Sequence, residues 1–287
     1  MLGMTVGELL TNSTPMLTGH IRDLVSPILN RLNVQKLYPS FSVQTGGHPL
    51  LGNIDQNECP FKILPDNAPL LLDTINTKFW LSDFRNTTGI QAIHYNDEQK
   101  LQQLPAYDQI YFVVHGFLSN GATHRGMKRS LFMARRFTRI AVIVVDWSLG
   151  SDPFTLLSQT ECLFDLKCRY DLPSLNTGVV GRELGLLAYL LTRAERVKPR
   201  DIHFIGFSLG AQTIHYAAQY LQKLGGVDAN GKPRMKPGRL TALDPAAQNF
   251  QKFPECHVSK NDADFVDVYH TSAVESQGSF LDTLTGS

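Results

Sequence analysis

The chain has few cysteines, no excess of charge of either sign and no long apolar run, and each shortage removes a class of protein. Four cysteines in 287 residues are too few for a disulfide scaffold, though enough for one or two bridges. Cys-x-x-Cys spacing is missing, and none of the nine histidines stands at zinc-ligand spacing from a cysteine, so neither a metal centre nor a cofactor is expected. Lys and Arg number 27 against 26 Asp and Glu, a formal net charge of +1. That balance excludes a strongly basic nucleic-acid binder and an acidic tail. The longest apolar stretches, Ile140–Val145 and Leu184–Leu191, fall well short of the roughly 18 residues of a transmembrane segment. Met1–Thr14 lacks the basic end and continuous apolar stretch of a secretory signal. What the chain does have is 43% hydrophobic residues against 18% charged, which is enough to bury a substantial core.

The first 70 residues are rich in Leu, Pro, Asn and Gly without sustained periodicity. They read as a loosely packed extension, with a short amphipathic helix within Met16–Leu37. From residue 71 to 287 the pattern is that of one α/β domain. Lys78–Leu81, Ile110–His115, Ile140–Val145, Asp201–Phe207, Leu240–Leu243 and Phe265–Tyr269 read as strands. Between them lie helical patterns at Met127–Arg136, at Leu184, Leu187, Ala188 and Leu191, and at Ala211, Ile214, Ala218 and Leu221. Strands alternating with helices, and strand runs that do not alternate in polarity, predict a mostly parallel, doubly wound sheet covered on both faces. Cys162 and Cys168 suggest a small bridged loop, whereas sequence alone gives no pairing for Cys59 or Cys256. Asn12-Ser13-Thr14 and Asn86-Thr87-Thr88 are glycosylation acceptors if the chain enters the secretory route.

The chemistry sits at Gly206-Phe207-Ser208-Leu209-Gly210, a G-x-S-x-G sequence with a buried strand before it and a helix after it. That context is what a nucleophile elbow requires, because small flanking residues allow the sharp turn that presents Ser208 at the sheet edge. A serine hydroxyl needs a base to take its proton, and the resulting oxyanion needs donors. Leu209 N–H is one candidate donor. Phe117 N–H, in the His115-Gly116-Phe117 turn after the strand Ile110–Val114, is the other. Asp244, closing the strand Leu240–Leu243 and followed by Pro245, is the candidate acid. Asp146 is a rival that precedes the serine. Trp147 and Phe117 are candidates either for an acyl pocket or for core packing, with core packing favoured for Trp147.

Taken with Val113-Val114-His115-Gly116-Phe117, Val145-Asp146-Trp147, Ile205 to Ala211, Leu243-Asp244-Pro245-Ala246 and Phe265 to Thr271, these segments resemble the neutral (pancreatic-type) lipase family, which includes phospholipases A1. The resemblance covers roughly residues 75 to 275. It implies an α/β-hydrolase fold, a lipid ester substrate (triacylglycerol or phospholipid) met at a lipid–water interface, and an extracellular location. It further implies Ser208 as nucleophile, Asp244 as triad acid, and Phe117 with Leu209 as the oxyanion hole.

The departures from the family pattern define further expectations. Phe207 stands where the family usually carries His. The stretch Lys223–Lys236, between nucleophile and acid, is longer than usual and reads as a polar surface loop. In the family the lid, the catalytic histidine and a lipid-binding domain follow the strand that ends near His270. The sequence therefore reads as an α/β-hydrolase lacking its C-terminal part. His270 then remains as the possible base, the alternative being a strand-end histidine bonded locally. The family often binds calcium just before the Phe-Val-Asp strand, where Asp262 is one potential ligand and Ser259 replaces a second acidic residue. Three functional readings follow: an active serine lipase or esterase, a catalytically inactive lipase-like module that binds lipid or protein, and an inactive piece of a longer lipase.

Overall fold

A computed structural model of the protein describes residues 42–44, 48–55, 57–64, 72–133, 138–152 and 166–271, all within one compact unit, Ser42–Ser287. Its strands are β1 (Ser42–Gln44), β2 (Asn53–Asp55), β3 (Lys78–Asp83), β4 (Asn86–Ile93), β5 (Gln109–Val114), β6 (Ile140–Asp146), β7 (Ile202–Phe207), β8 (Arg239–Leu243) and β9 (Phe265–Tyr269). The α-helices are α1 (Leu72–Ile75), α2 (Glu98–Gln102), α3 (Arg125–Met133), α4 (Ser148–Ser151), α5 (Leu166–Arg193) and α6 (Leu209–Gly225). The Met16–Leu37 helix lies outside the described residues, as do residues 162–165 of the Cys162–Cys168 stretch; Cys168 falls in the first turn of α5.

Among the described residues, seven strands form one sheet in the order β4-β3-β6-β5-β7-β8-β9. The five from β6 to β9 are parallel, and β3 and β4 extend one edge antiparallel. Parallel strands need helical crossovers, which cover both sheet faces and explain the near-continuous apolar runs. Ile140 to Val145 are all buried. On one face Phe132 of α3 packs with Val113, Val142 and Val144. Helices α5 and α6 pack tightly on each other. A Cβ at Gly185 would stand 2.7 Å from Ala217 O, so only glycine permits that approach.

Several boundaries differ from the sequence reading. The pattern around Leu184 is the second half of a 28-residue helix that carries Pro173 inside it. β4 was not expected. Its sequence Asn-Thr-Thr-Gly-Ile-Gln-Ala-Ile is mostly exposed, with Ile93 its buried residue, so hairpin pairing with β3 defines it rather than burial. Residues 48–55 and 57–64, read as part of a loose extension, pack onto the hydrolase body. Leu51 and Phe61 are buried, and Arg182 of α5 donates to Asn53 O at 3.0 Å and pairs with Glu58. A Cys59–Cys256 disulfide, spanning 197 residues of sequence, ties the segment down.

Candidate active site

The parallel strands deliver the candidate residues to one edge of the sheet. β7 ends at Phe207, Ser208 makes the turn, and α6 begins at Leu209. Ser208 is held at φ 53, ψ −118, a backbone region that is costly for a residue with a side chain and is concentrated at functional sites. The surroundings enforce it. Ser208 N–H donates to Leu243 O at 2.9 Å, and Ser208 O accepts Ala211 N–H at 3.0 Å and Ala246 N–H at 3.2 Å. The flanking glycines answer to contact rather than flexibility. A Cβ on Gly206 would collide with Gly210 O, and one on Gly210 would stand 2.6 Å from His115 O.

The His115-Gly116-Phe117 turn lies directly against the serine. A Cβ on Gly116 would come within 2.9 Å of both Phe207 O and Ser208 Cβ, and 3.4 Å from Ser208 Oγ. Leu209 is the first residue of α6 and has no intrahelical acceptor for its N–H. Among the described residues the Phe117 N–H has no hydrogen-bond partner either. The Phe117 ring is half-buried and meets Tyr170 edge-on at 5.2 Å. Trp147 is fully buried and belongs to the core.

His115 has a role that the sequence reading did not assign. Its Nε2 accepts Trp147 N–H at 3.0 Å, which leaves Nδ1 to donate to Gly116 O at 3.0 Å. Asp146 Oδ1 is farther from that Nε2, at 3.5 Å, and accepts Ser148 N–H at 3.1 Å. The rival carboxylate is therefore engaged with its own strand end.

Asp244 follows β8 with φ 41, a second strained non-glycine. Its N–H donates to Tyr269 O at 2.8 Å. Its carboxylate accepts Thr271 N–H at 2.6 Å on Oδ1 and Thr271 Oγ1–H at 2.5 Å on Oδ2. Gln212 donates to Ala246 O at 2.7 Å, fixing the turn that carries Asp244. His270 lies between the two residues that bond Asp244. Its side chain is exposed and makes no hydrogen bond to Asp244 or Ser208 among the described residues. Thr271 escaped the sequence reading because a threonine after a strand carries no signal until the acid turn is placed beside it.

Asp262 does not fit a calcium site. Its buried carboxylate accepts His215 Nδ1–H at 2.8 Å, Gln219 Nε2–H at 2.6 Å and Ser259 N–H at 2.8 Å. Three protein donors thus already occupy the carboxylate that a cation would have to share.

A mostly parallel sheet with a strained serine between strand and helix defines the class: an α/β-hydrolase fold. A model of the Lipase family matches residues 55–281, and the chain belongs to that family. Pancreatic lipase-related protein 2 of Cavia porcellus is 31% identical over 217 residues, covering 74% of this chain and 42% of that protein. The Rattus norvegicus protein of the same name is 32% identical over 219 residues, covering 75% and 40%. Inactive pancreatic lipase-related protein 1 of Mus musculus is 30% identical over 219 residues, covering 75% and 39%. The chain thus spans about two fifths of the length of these curated relatives.

Proposed function

We propose that the chain carries the nucleophile, oxyanion hole and acid of a serine hydrolase acting on lipid carboxylic esters, of the triacylglycerol lipase or phospholipase A1 type. Ser208 Oγ attacks the ester carbonyl carbon as its proton passes to a base. The N–H groups of Phe117 and Leu209 receive the developing oxyanion, the alcohol leaves, and water then hydrolyses the acyl-enzyme. Asp244 orients the base, for which His270 is this chain's candidate. The observation that carries the reading is the strained Ser208 backbone with Gly116 packed against it. Leu118 and Phe207, 52% and 44% exposed, are apolar side chains beside the oxyanion turn and the nucleophile, which suits a lipid–water interface. The Cys59–Cys256 bridge favours an oxidising, extracellular setting.

Fluorophosphonate labelling of the 287-residue chain tests this. Labelling is expected in the parent, lost in Ser208→Ala and reduced in His270→Ala. A chain that melts cooperatively yet stays unlabelled would rule out an activated serine in it.

One observation favours a second reading, a non-catalytic lipid-binding module. His270, this chain's candidate base, is exposed and makes no hydrogen bond to Ser208 among the described residues. Binding of a fatty-acyl probe by a folded, unlabelled chain is its signature.

A further inference from the structure

In the lipase family calcium often sits just before the strand equivalent to β9; here side chains of α6 fill that place. Gln212, His215, Tyr216, Gln219 and Gln222 follow one another at i, i+3, i+4, i+7 and i+10 along α6, so they share one face of the helix. All five reach the segment 256–262. Gln212 Oε1 accepts Val258 N–H at 3.2 Å, Tyr216 OH donates to Cys256 O at 2.5 Å, and Gln222 Nε2–H donates to Asp262 O at 3.2 Å. At the centre lies the fully buried Asp262. His215 Nδ1–H meets its Oδ2 at 2.8 Å and Gln219 Nε2–H its Oδ1 at 2.6 Å, with Ser259 N–H on Oδ2 at 2.8 Å. Ser259, where the family pattern has a second acid, accepts Asn261 N–H on its own hydroxyl at 3.1 Å.

We infer that this polar seam of α6 takes the place of a metal ion, closing the segment before β9 without calcium. A buried carboxylate needs either donors or a cation, and Asp262 has donors. All three point N–H hydrogens at its oxygens, so each turns the positive end of a dipole toward the place a cation would take. Calcium selects oxygen ligands, whereas the group lying against Asp262 Oδ2 is the buried imidazole of His215. The effect reaches the candidate acid. Gln212 Nε2–H donates to Ala246 O at 2.7 Å while its Oε1 holds Val258 N–H, so one buried side chain joins the segment to the Asp244 turn. The segment also leads into β9, where Tyr269 O accepts Asp244 N–H at 2.8 Å. The position of Asp244 is therefore set by side chains of α6 and not by an ion concentration. Only this last step rests on Asp244 as the triad acid; the clamp stands whether or not Ser208 is activated.

The test compares the 287-residue chain in CaCl2 and in EGTA. Its thermal midpoint should be the same in both, because an ion bound only by the folded state would raise it. Titration calorimetry with millimolar CaCl2 should give no saturable heat. Amide exchange at Val258 and Ser259, whose N–H groups the seam and Asp262 hold, should be equally slow in both solutions. His215→Ala removes the imidazole donor and should speed that exchange about tenfold or more, as expected for one buried bond to a charged group. His215→Asn, whose amide nitrogen comes where Nδ1 stands, should keep exchange close to the parent's. A midpoint raised by calcium, or saturable calcium binding by the parent, would overturn the proposal. So would exchange in His215→Ala as slow as in the parent, or in His215→Asn as fast as in His215→Ala. Should His215→Ala fail to fold, the parent's calcium titration and the His215→Asn exchange decide the matter between them. None of these readouts involves turnover, so their failure is separable from failure of Ser208 labelling.

Discussion

His115 and Trp147 are locked together by two hydrogen bonds, both donated by Trp147. Trp147 N–H reaches His115 Nε2 at 3.0 Å and Trp147 Nε1–H reaches His115 O at 2.8 Å. Their rings stack at 5.5 Å with 15° between planes. Both side chains are fully buried, so the end of β5 and the end of β6 are fastened where the oxyanion turn begins. His115→Ala leaves a cavity and an unpaired buried N–H. The expected destabilisation is about 2–4 kcal/mol, read from urea midpoints. Trp147→Phe keeps most of the packing and loses one bond, so it should cost less, about 1–3 kcal/mol. Equal costs would contradict the clamp.

Gly116 has no room for a side chain. A Cβ there would sit 2.9 Å from Ser208 Cβ and equally close to the backbone oxygen of Phe207. Gly116→Ala should push the Phe117 N–H out of line while the sheet stays intact. Loss of one oxyanion donor lowers rates by about 10²–10³. Fluorophosphonate labelling should slow to that degree with the circular dichroism unchanged, and an unaltered rate would remove Phe117 from the oxyanion hole.

The disulfide closes a loop of 197 residues, so its effect on the unfolded chain is large. Cys59→Ser with Cys256→Ser should cost about 2–5 kcal/mol. Residues 48–64 should then become the first site of limited proteolysis, because only non-covalent contacts, from Arg182, Tyr220, Lys223 and Glu255 and from the burial of Leu51 and Phe61, would be left to hold them. Protease resistance equal to the parent's would show that packing, not the bridge, secures the segment.

Some of this was legible in the sequence because the signals were local. The elbow needs a strand, five residues and a helix, all contiguous from Ile202 to Gly225, and the buried runs of β5 and β6 declare themselves by composition. The rest depends on residues brought together from far apart. Cys59 meets Cys256, and Thr271 meets Asp244, only once the chain is folded. β4 hides because its side chains are exposed, and the start of α5 because Pro173 reads as a breaker although the helix continues past it.

Glu183 makes the stability depend on pH in the direction opposite to most carboxylates. It lies buried on α5, accepting Tyr95 OH at 2.8 Å and Thr77 Oγ1–H at 2.5 Å. Burial pushes its carboxyl up to about 7 from the usual 4.5; the bonds from Thr77 and Tyr95 only partly oppose this, and Asp73 adds to it. In the unfolded chain the group loses its proton near 4.5, whereas the folded protein keeps it to about 7. Between those values the native state binds more protons, so this group's contribution favours folding at low pH and declines as pH rises. Above about 7 the full penalty is present, on the order of 2–4 kcal/mol. Glu183→Gln keeps an acceptor for one hydroxyl and carries no charge. It should therefore be more stable than the parent at pH 8 and lose that advantage by pH 4.5. Urea midpoints from pH 4.5 to 8 measure this directly. Parallel curves for parent and variant would mean that Glu183 ionises in the folded protein as it does in the unfolded chain.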